Sequence, residues 1–180
     1  MKRANIGAGL TVVLVVLSTL WVAHAPALAQ SSLALQMART LVAAHPASYY
    51  QQAAKLFQAG QRDDAVFVFY LGQLRYRTHL AARRAELKPD GDPALFASLS
   101  EVVGRPINEY AFGDIPALVK TLDAVLAFDA ANPDGFTPRA RFAAAHASTR
   151  SGLKSMQQQI TAQADSIRAE RKRNGLANRN

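Results

Sequence analysis

The sequence predicts an all-α domain of antiparallel helix pairs, closed by a long C-terminal helix. Three observations carry this. Alternating apolar and polar runs of the β type are almost absent. Ala, Leu, Gln and Arg, all good helix formers, dominate the composition. Apolar residues recur every three or four positions between punctuations of Pro, Gly, Asn and Asp.

Residues 1–29 stand apart as a leader. Lys2 and Arg3 form a positive start, an uncharged and mostly apolar segment follows at 10–23, and Ala27-Leu28-Ala29 supplies a small-x-small cleavage pattern. The apolar core is shorter than the ~20 residues a membrane anchor needs, and it ends at His24 and Pro26. A cleaved signal peptide and a periplasmic destination are therefore expected, with an uncleaved inner-membrane anchor as the lesser alternative. Without cysteine, the domain has no disulfide and depends on packing.

The elements follow in order. Ser31 or Ser32 caps a first helix whose stripe is Leu33, Met37, Leu41 and Ala44. His45-Pro46 breaks it, because the residue before proline avoids the helical region. Pro46 opens a second helix that ends at Gly60, with His45 as a C-terminal cap on the first. A third is expected over 63–86, with Asp63 and Asp64 at its positive end. "KPDGDP" reads as a turn in which Asp92 caps a helix over 93–103.

Gly104-Arg105-Pro106 is expected to interrupt, leaving a short piece over 107–112 before Gly113-Asp114 restarts the chain. A helix over 115–131 then places Leu118, Leu122, Val125 and Phe128 on one face. "NPDGFTP" breaks it, and the last helix begins near Pro138. Its residues Phe142, His146, Thr149, Leu153, Met156, Ile160 and Ile167 recur at close to 3.5, which fits either a helix laid along the body or a self-associating seam. One domain over 30–167 results, with a basic, frayed tail over 168–180.

The formal charge is +8, and removing Lys2 and Arg3 with the leader leaves +6. Most of that sits on Arg168, Arg171, Lys172, Arg173 and Arg179, opposed only by Glu170. The high pI thus reflects a basic tail on a nearly neutral body and does not imply nucleic-acid binding. Weak contact of this tail with anionic membrane or polysaccharide is the expectation it raises.

Residues 46–77 resemble one tetratricopeptide repeat, a helix-turn-helix unit. Tyr49 stands at the signature aromatic, Ala53 at the small contact position, then Leu56, with Gly60 at the turn. Ala65 is the small residue of the second helix, followed by Phe69 and Gly72. The resemblance implies that the small residues let two helices approach closely and, by analogy, a binding role without chemistry. Gln52 and Arg77 depart from the pattern at positions usually Leu and Pro, and no clean second copy follows.

Chemical motifs are weak. Ser151-Gly152-Leu153-Lys154 has the S-x-x-K spacing of penicillin-interacting serine enzymes but lacks their companion motifs. Asp90, Asp92 and Glu101 match three positions of a calcium loop, yet Ala94 and Leu95 occupy positions that need an oxygen ligand and a glycine. His45, His79 and His146 lie far apart in sequence without a zinc spacing, and His146 reads as a face residue. No cofactor, metal or catalytic group is expected.

Two stretches are richer than packing requires. Arg75, Tyr76, Arg77, His79, Arg83 and Arg84 crowd the late part of the third helix, either complementing its C-terminal dipole or forming a binding surface. Arg105, Asn108, Glu109 and Tyr110 lie between two breakers, as a binding site or as a structural corner in which Arg105 pairs with Glu109. The two stretches are expected to wall one shallow groove. The sequence thus suggests a non-enzymatic exported protein that binds another protein, as an envelope-assembly factor or an immunity-type inhibitor does.

Overall fold

A computed structural model describes residues 31–180, and the leader expected at 1–29 lies outside them. Among the described residues the chain is helical, without strands: α1 (Ser32–Thr40), α2 (Ala47–Gln58), α3 (Arg62–Ala82), α4 (Asp92–Leu99), α5 (Arg105–Ala111), α6 (Ile115–Ala131), α7 (Ala143–Ala162) and α8 (Ala164–Arg173). None of them is long and apolar enough to cross a membrane.

The fold is organised around α3. Val66 to Leu71 are apolar and consecutive, so they point to every side of the helix, and all are buried. Such a helix needs neighbours all round. It has them in α1, α2, α5, α6 and α7. Its acidic first turn also serves tertiary structure: Asp64 accepts from the Ser31 hydroxyl at 2.6 Å, and Asp63 accepts from the Tyr110 hydroxyl at 2.9 Å. Ser31 in turn caps α1 by accepting from the Ala34 amide at 3.1 Å, a bond worth about 1 kcal/mol.

The α2–α3 hairpin turns at Gly60. Its φ of 81° lets the Gly60 amide reach the Phe57 carbonyl and the Gln61 amide reach that of Leu56, closing two last-turn carbonyls of α2. Tyr49, Ala53, Leu56, Ala65 and Phe69 are all buried between the helices and their neighbours. Gly72 is the point of closest approach, since a Cβ there would lie 2.4 Å from the Cβ of Tyr49. The Tyr50 ring meets Phe69 edge-on at 5.2 Å.

Three expectations are corrected beyond this core. Gly104-Arg105-Pro106 does not interrupt: α4 passes through a π turn at Ser100–Gly104 straight into α5. Proline clashes with the carbonyl four residues back in an α-helix, and the wider turn relieves that. Gly104 is needed because a Cβ would come within 2.9 Å of the Phe69 ring. The last helix starts at Ala143 and not near Pro138, and it breaks at Gln163 before α8.

The tail is docked. Gly175, at φ 72°, reverses the chain after α8, with the Leu176 amide on the Arg171 carbonyl at 2.9 Å. Arg179 then donates its amide to the Gly113 carbonyl and its guanidinium to the Tyr110 carbonyl, with the guanidinium 3.6 Å from the Tyr110 ring centre. Arg171 is buried beneath, bonded to the Ala177 carbonyl at 2.8 Å. The α6 face is as expected, and Asp114 caps that helix through the Ala117 amide at 3.0 Å. The 3.5-spaced seam of the last helix faces α3 and α6. Thr149, its polar gap, meets Thr78 at 2.7 Å.

Candidate functional site

Arg75 and Tyr76 are fully buried, so neither is a partner anchor. Because α3 is enclosed on all sides over Val66–Leu71 and Arg75 lies on its inner face, the charge of Arg75 must find partners inside. Arg75 donates to the Tyr49 hydroxyl at 2.6 Å and to the Pro133 carbonyl at 3.0 Å, and its Nε lies 3.7 Å from Asp129. Asp129, equally buried, also holds Arg150 at 2.6 Å and Arg139 at 3.3 Å. The cluster ties α3 and α7 to α6 and the chain after it. Burial pushes the Tyr49 phenol up to about 12, against the pull of Arg75.

The second stretch forms a corner. Asn108 accepts from the Tyr70 hydroxyl at 2.9 Å, and Ile107 is buried. Tyr110 is held between Asp63 and Arg179, and burial together with the Asp63 bond raises its phenol. Arg105 is exposed and pairs with Glu101, one turn back, and not with Glu109, which is exposed. Arg105, Asn108 and Glu109 line one depression, whereas Arg77 lines another. The single groove walled by both stretches does not form.

Arg77 belongs to a groove between α3, α4 and α7. Its floor is Leu74, Leu80, Phe96, Leu153 and Met156, in a cavity of about 520 Å³. The Arg77 guanidinium lies 5.4 Å from the Phe96 ring centre, a contact that holds the cation at the groove edge. Beyond Leu80 the surface continues into a second cavity of about 500 Å³ lined by Arg84, Leu87 and Pro93 among others. Among the described residues no acidic residue lines either cavity. Arg77 and Arg84 have no carboxylate within salt-bridge distance among the described residues. In the α7 wall, Gly152 is exposed, and a Cβ there would meet nothing within 4 Å. The isolated glycine inside a helical pattern is the one sequence signal that marks this groove.

A second cluster joins His45, His79 and Asp92, whose ligand atoms lie within 4.8 Å of one another. Asp92 is therefore not the expected helix cap, and His45 is not a C-terminal cap. The Ala47 amide donates to Nδ1 of His45 at 3.2 Å, which places the ring proton on Nε2, facing Asp92 Oδ1 at 3.2 Å. A cation needs that Nε2 lone pair and would drive the proton onto Nδ1, against the amide. His79 Nε2 lies 2.7 Å from Asp92 Oδ2, and its Nδ1 is buried without an acceptor. Metal-bound imidazoles donate that second N–H to an acceptor. The set does not fit a metal.

It fits a carboxylate that bridges two imidazoles. Asp92 also offers its backbone carbonyl to the Tyr76 hydroxyl at 3.2 Å. The Phe136 ring packs edge-on against both imidazoles, at 4.9 and 5.0 Å. Burial pushes the Asp92 carboxyl up, but the hydrogen bonds from His79 and His45 outweigh it and hold the group below its ordinary 3.8. His146, on the inward seam of α7, is buried, with Nε2 2.8 Å from the Thr137 carbonyl.

No protein-family model, no curated protein and no solved structure matches the chain.

Proposed function

We propose that this is an exported, non-enzymatic helical protein that binds another protein through the groove between α3, α4 and α7. The observation that carries the reading is that groove: an apolar floor open to solvent, of about 520 Å³, with a glycine in one wall. Export rests on the positive start, apolar core and Ala-x-Ala order of the leader. The hairpin of α2 and α3, with Gly72 against Tyr49, supports kinship with tetratricopeptide units, which present helical walls to protein segments. An envelope-assembly factor or an immunity-type inhibitor would fit this reading.

The rival reading, adhesion through a basic tail, has less to support it. Arg171 is buried, Arg179 is stacked on Tyr110 and Arg168 pairs with Asp165, so Lys172 and Arg173 are the tail cations left to solvent among the described residues. Two uncovered charges give weak attraction to an anionic surface.

The test is capture from periplasmic extract by tagged protein, comparing the natural chain with Gly152→Trp and Gly152→Ala. A Cβ at 152 meets nothing within 4 Å, so alanine leaves the groove open, whereas an indole there takes up groove space. Proteins retained by the natural chain and the alanine variant but lost with tryptophan support the reading. Equal retention by all three removes the groove from it. Retention of nothing removes the binding role.

A further inference from the structure

We infer that the occupant of this groove is an acidic amphipathic helix of the partner protein. The inference rests on the groove being the binding surface and adds the chemistry of what binds. Three observations carry it.

The first is charge. Arg77 and Arg84 flank Leu80 on the open side, and among the described residues no acidic one lines either of the two joined cavities. Every other arginine of the groove region is engaged: Arg75 and Arg150 with Asp129, Arg83 with Glu86. A guanidinium held beside an apolar floor pairs best with a carboxylate, which it can grip with two parallel hydrogen bonds. The occupant therefore carries acidic residues at its edges and apolar residues at its centre.

The second is spacing. Gln73, Arg77 and Leu80 sit at i, i+4 and i+7 along α3, and Arg84 follows four residues on in the succeeding turn. This is the rhythm by which one helix meets another, and α3 leaves it partly uncovered. Across the groove, Gly152 offers a wall with no side chain, so a second helix can come close to α7 there.

The third concerns the occupant's backbone. The walls are helices whose amides and carbonyls are bonded within themselves, so they present no strand edge to an extended peptide. An extended segment on the apolar floor would leave its own polar groups unpaired, and each such group costs free energy. A helix brings them already paired. The groove thus selects helix-in-groove recognition over strand addition.

The test uses defined probes and fluorescence anisotropy. One peptide is an amphipathic helix with a leucine stripe flanked by glutamates. A second replaces each glutamate by lysine, and oleate is the lipid competitor. They are tested on the full mature chain, on Arg77→Glu/Arg84→Glu and on Gly152→Trp, with circular dichroism to show that each variant folds. The glutamate peptide is expected to bind the natural chain, about tenfold more weakly to the double arginine variant, and not to Gly152→Trp. The lysine peptide is expected to prefer the double variant.

If the lysine peptide binds the natural chain as well as the glutamate peptide, and Gly152→Trp blocks both, the charge inference fails while the groove stands. If Gly152→Trp leaves peptide binding unchanged, the groove reading fails with it. If the glutamate peptide does not bind the natural chain, the helical occupant is overturned. Binding of oleate in place of either peptide would make the occupant a lipid.

Discussion

Replacing Gly72 by alanine places one carbon where α2 and α3 meet. Built on the existing backbone, that carbon lies 2.4 Å from the Cβ of Tyr49, against an ordinary contact of 3.4–4 Å, so the helices must part by about 1 Å. Tyr49 cannot swing away. It is fully buried, and its hydroxyl holds Arg75 at 2.6 Å, so displacing it also disturbs the Asp129 cluster. Overpacking of this kind costs about 1–3 kcal/mol, and alanine returns about 0.5–1 kcal/mol by its better helix propensity. The expected net loss is about 0–2.5 kcal/mol, or up to about 10 °C in Tm for a domain of this size. Gly152→Ala supplies the control. It gains the same propensity in a helix interior, but its new carbon meets nothing, so its Tm is expected to rise by about 1–4 °C. Thermal melts by circular dichroism compare the pair directly, and propensity cancels in the difference. A Gly72→Ala protein that melts with or above Gly152→Ala would refute the close approach and, with it, the repeat-like reading of the hairpin.

Three further outcomes follow from the same packing. Arg75→Ala should lose about 3 kcal/mol in denaturant unfolding, whereas Arg77→Glu on the open groove should stay within about 0.5 kcal/mol; similar losses at both sites would contradict their placement. Deleting residues 174–180 should lower Tm measurably, because it strips Arg179 from Tyr110 and Gly113 and uncovers Arg171; an unchanged melt would return the tail to the frayed state its charge suggests. Asp92 is held below its ordinary 3.8, so its contribution is fully present above that value and is lost as pH falls through its lower folded value. Asp92→Asn should therefore be less stable at pH 7 and show a shallower decline of Tm below pH 4, and parallel pH curves for the two proteins would count against the bridge.

Much of the architecture is legible before any coordinates, because it follows from local rules. Ser31 and Asp114 are caps, Gly60 needs a left-handed backbone and Pro46 opens α2, each for a reason contained within a few residues. The docking of the tail has a local signal too, Asn174-Gly175, which closes α8 and turns the chain back. The run of cations there suggests a frayed end, yet Arg171 is buried and Arg179 bonds the Gly113 and Tyr110 carbonyls.

What only the tertiary structure decided is which side of α3 meets water. Val66 to Leu71 are apolar without a face, so periodicity assigns no inside or outside to Arg75, Tyr76 and Arg77. The docking of α2, α4 and α6 makes that choice, burying the first two and leaving the third at a groove between α3, α4 and α7. The same holds for Asp92, which meets His45 and His79 from 47 and 13 positions away. Caps, turns and helix stripes are settled by neighbours in sequence and can be read there. Buried charge, bridging carboxylates and grooves are settled by neighbours in space, because the cost of desolvating a polar group depends on partners that the chain brings together only when it packs.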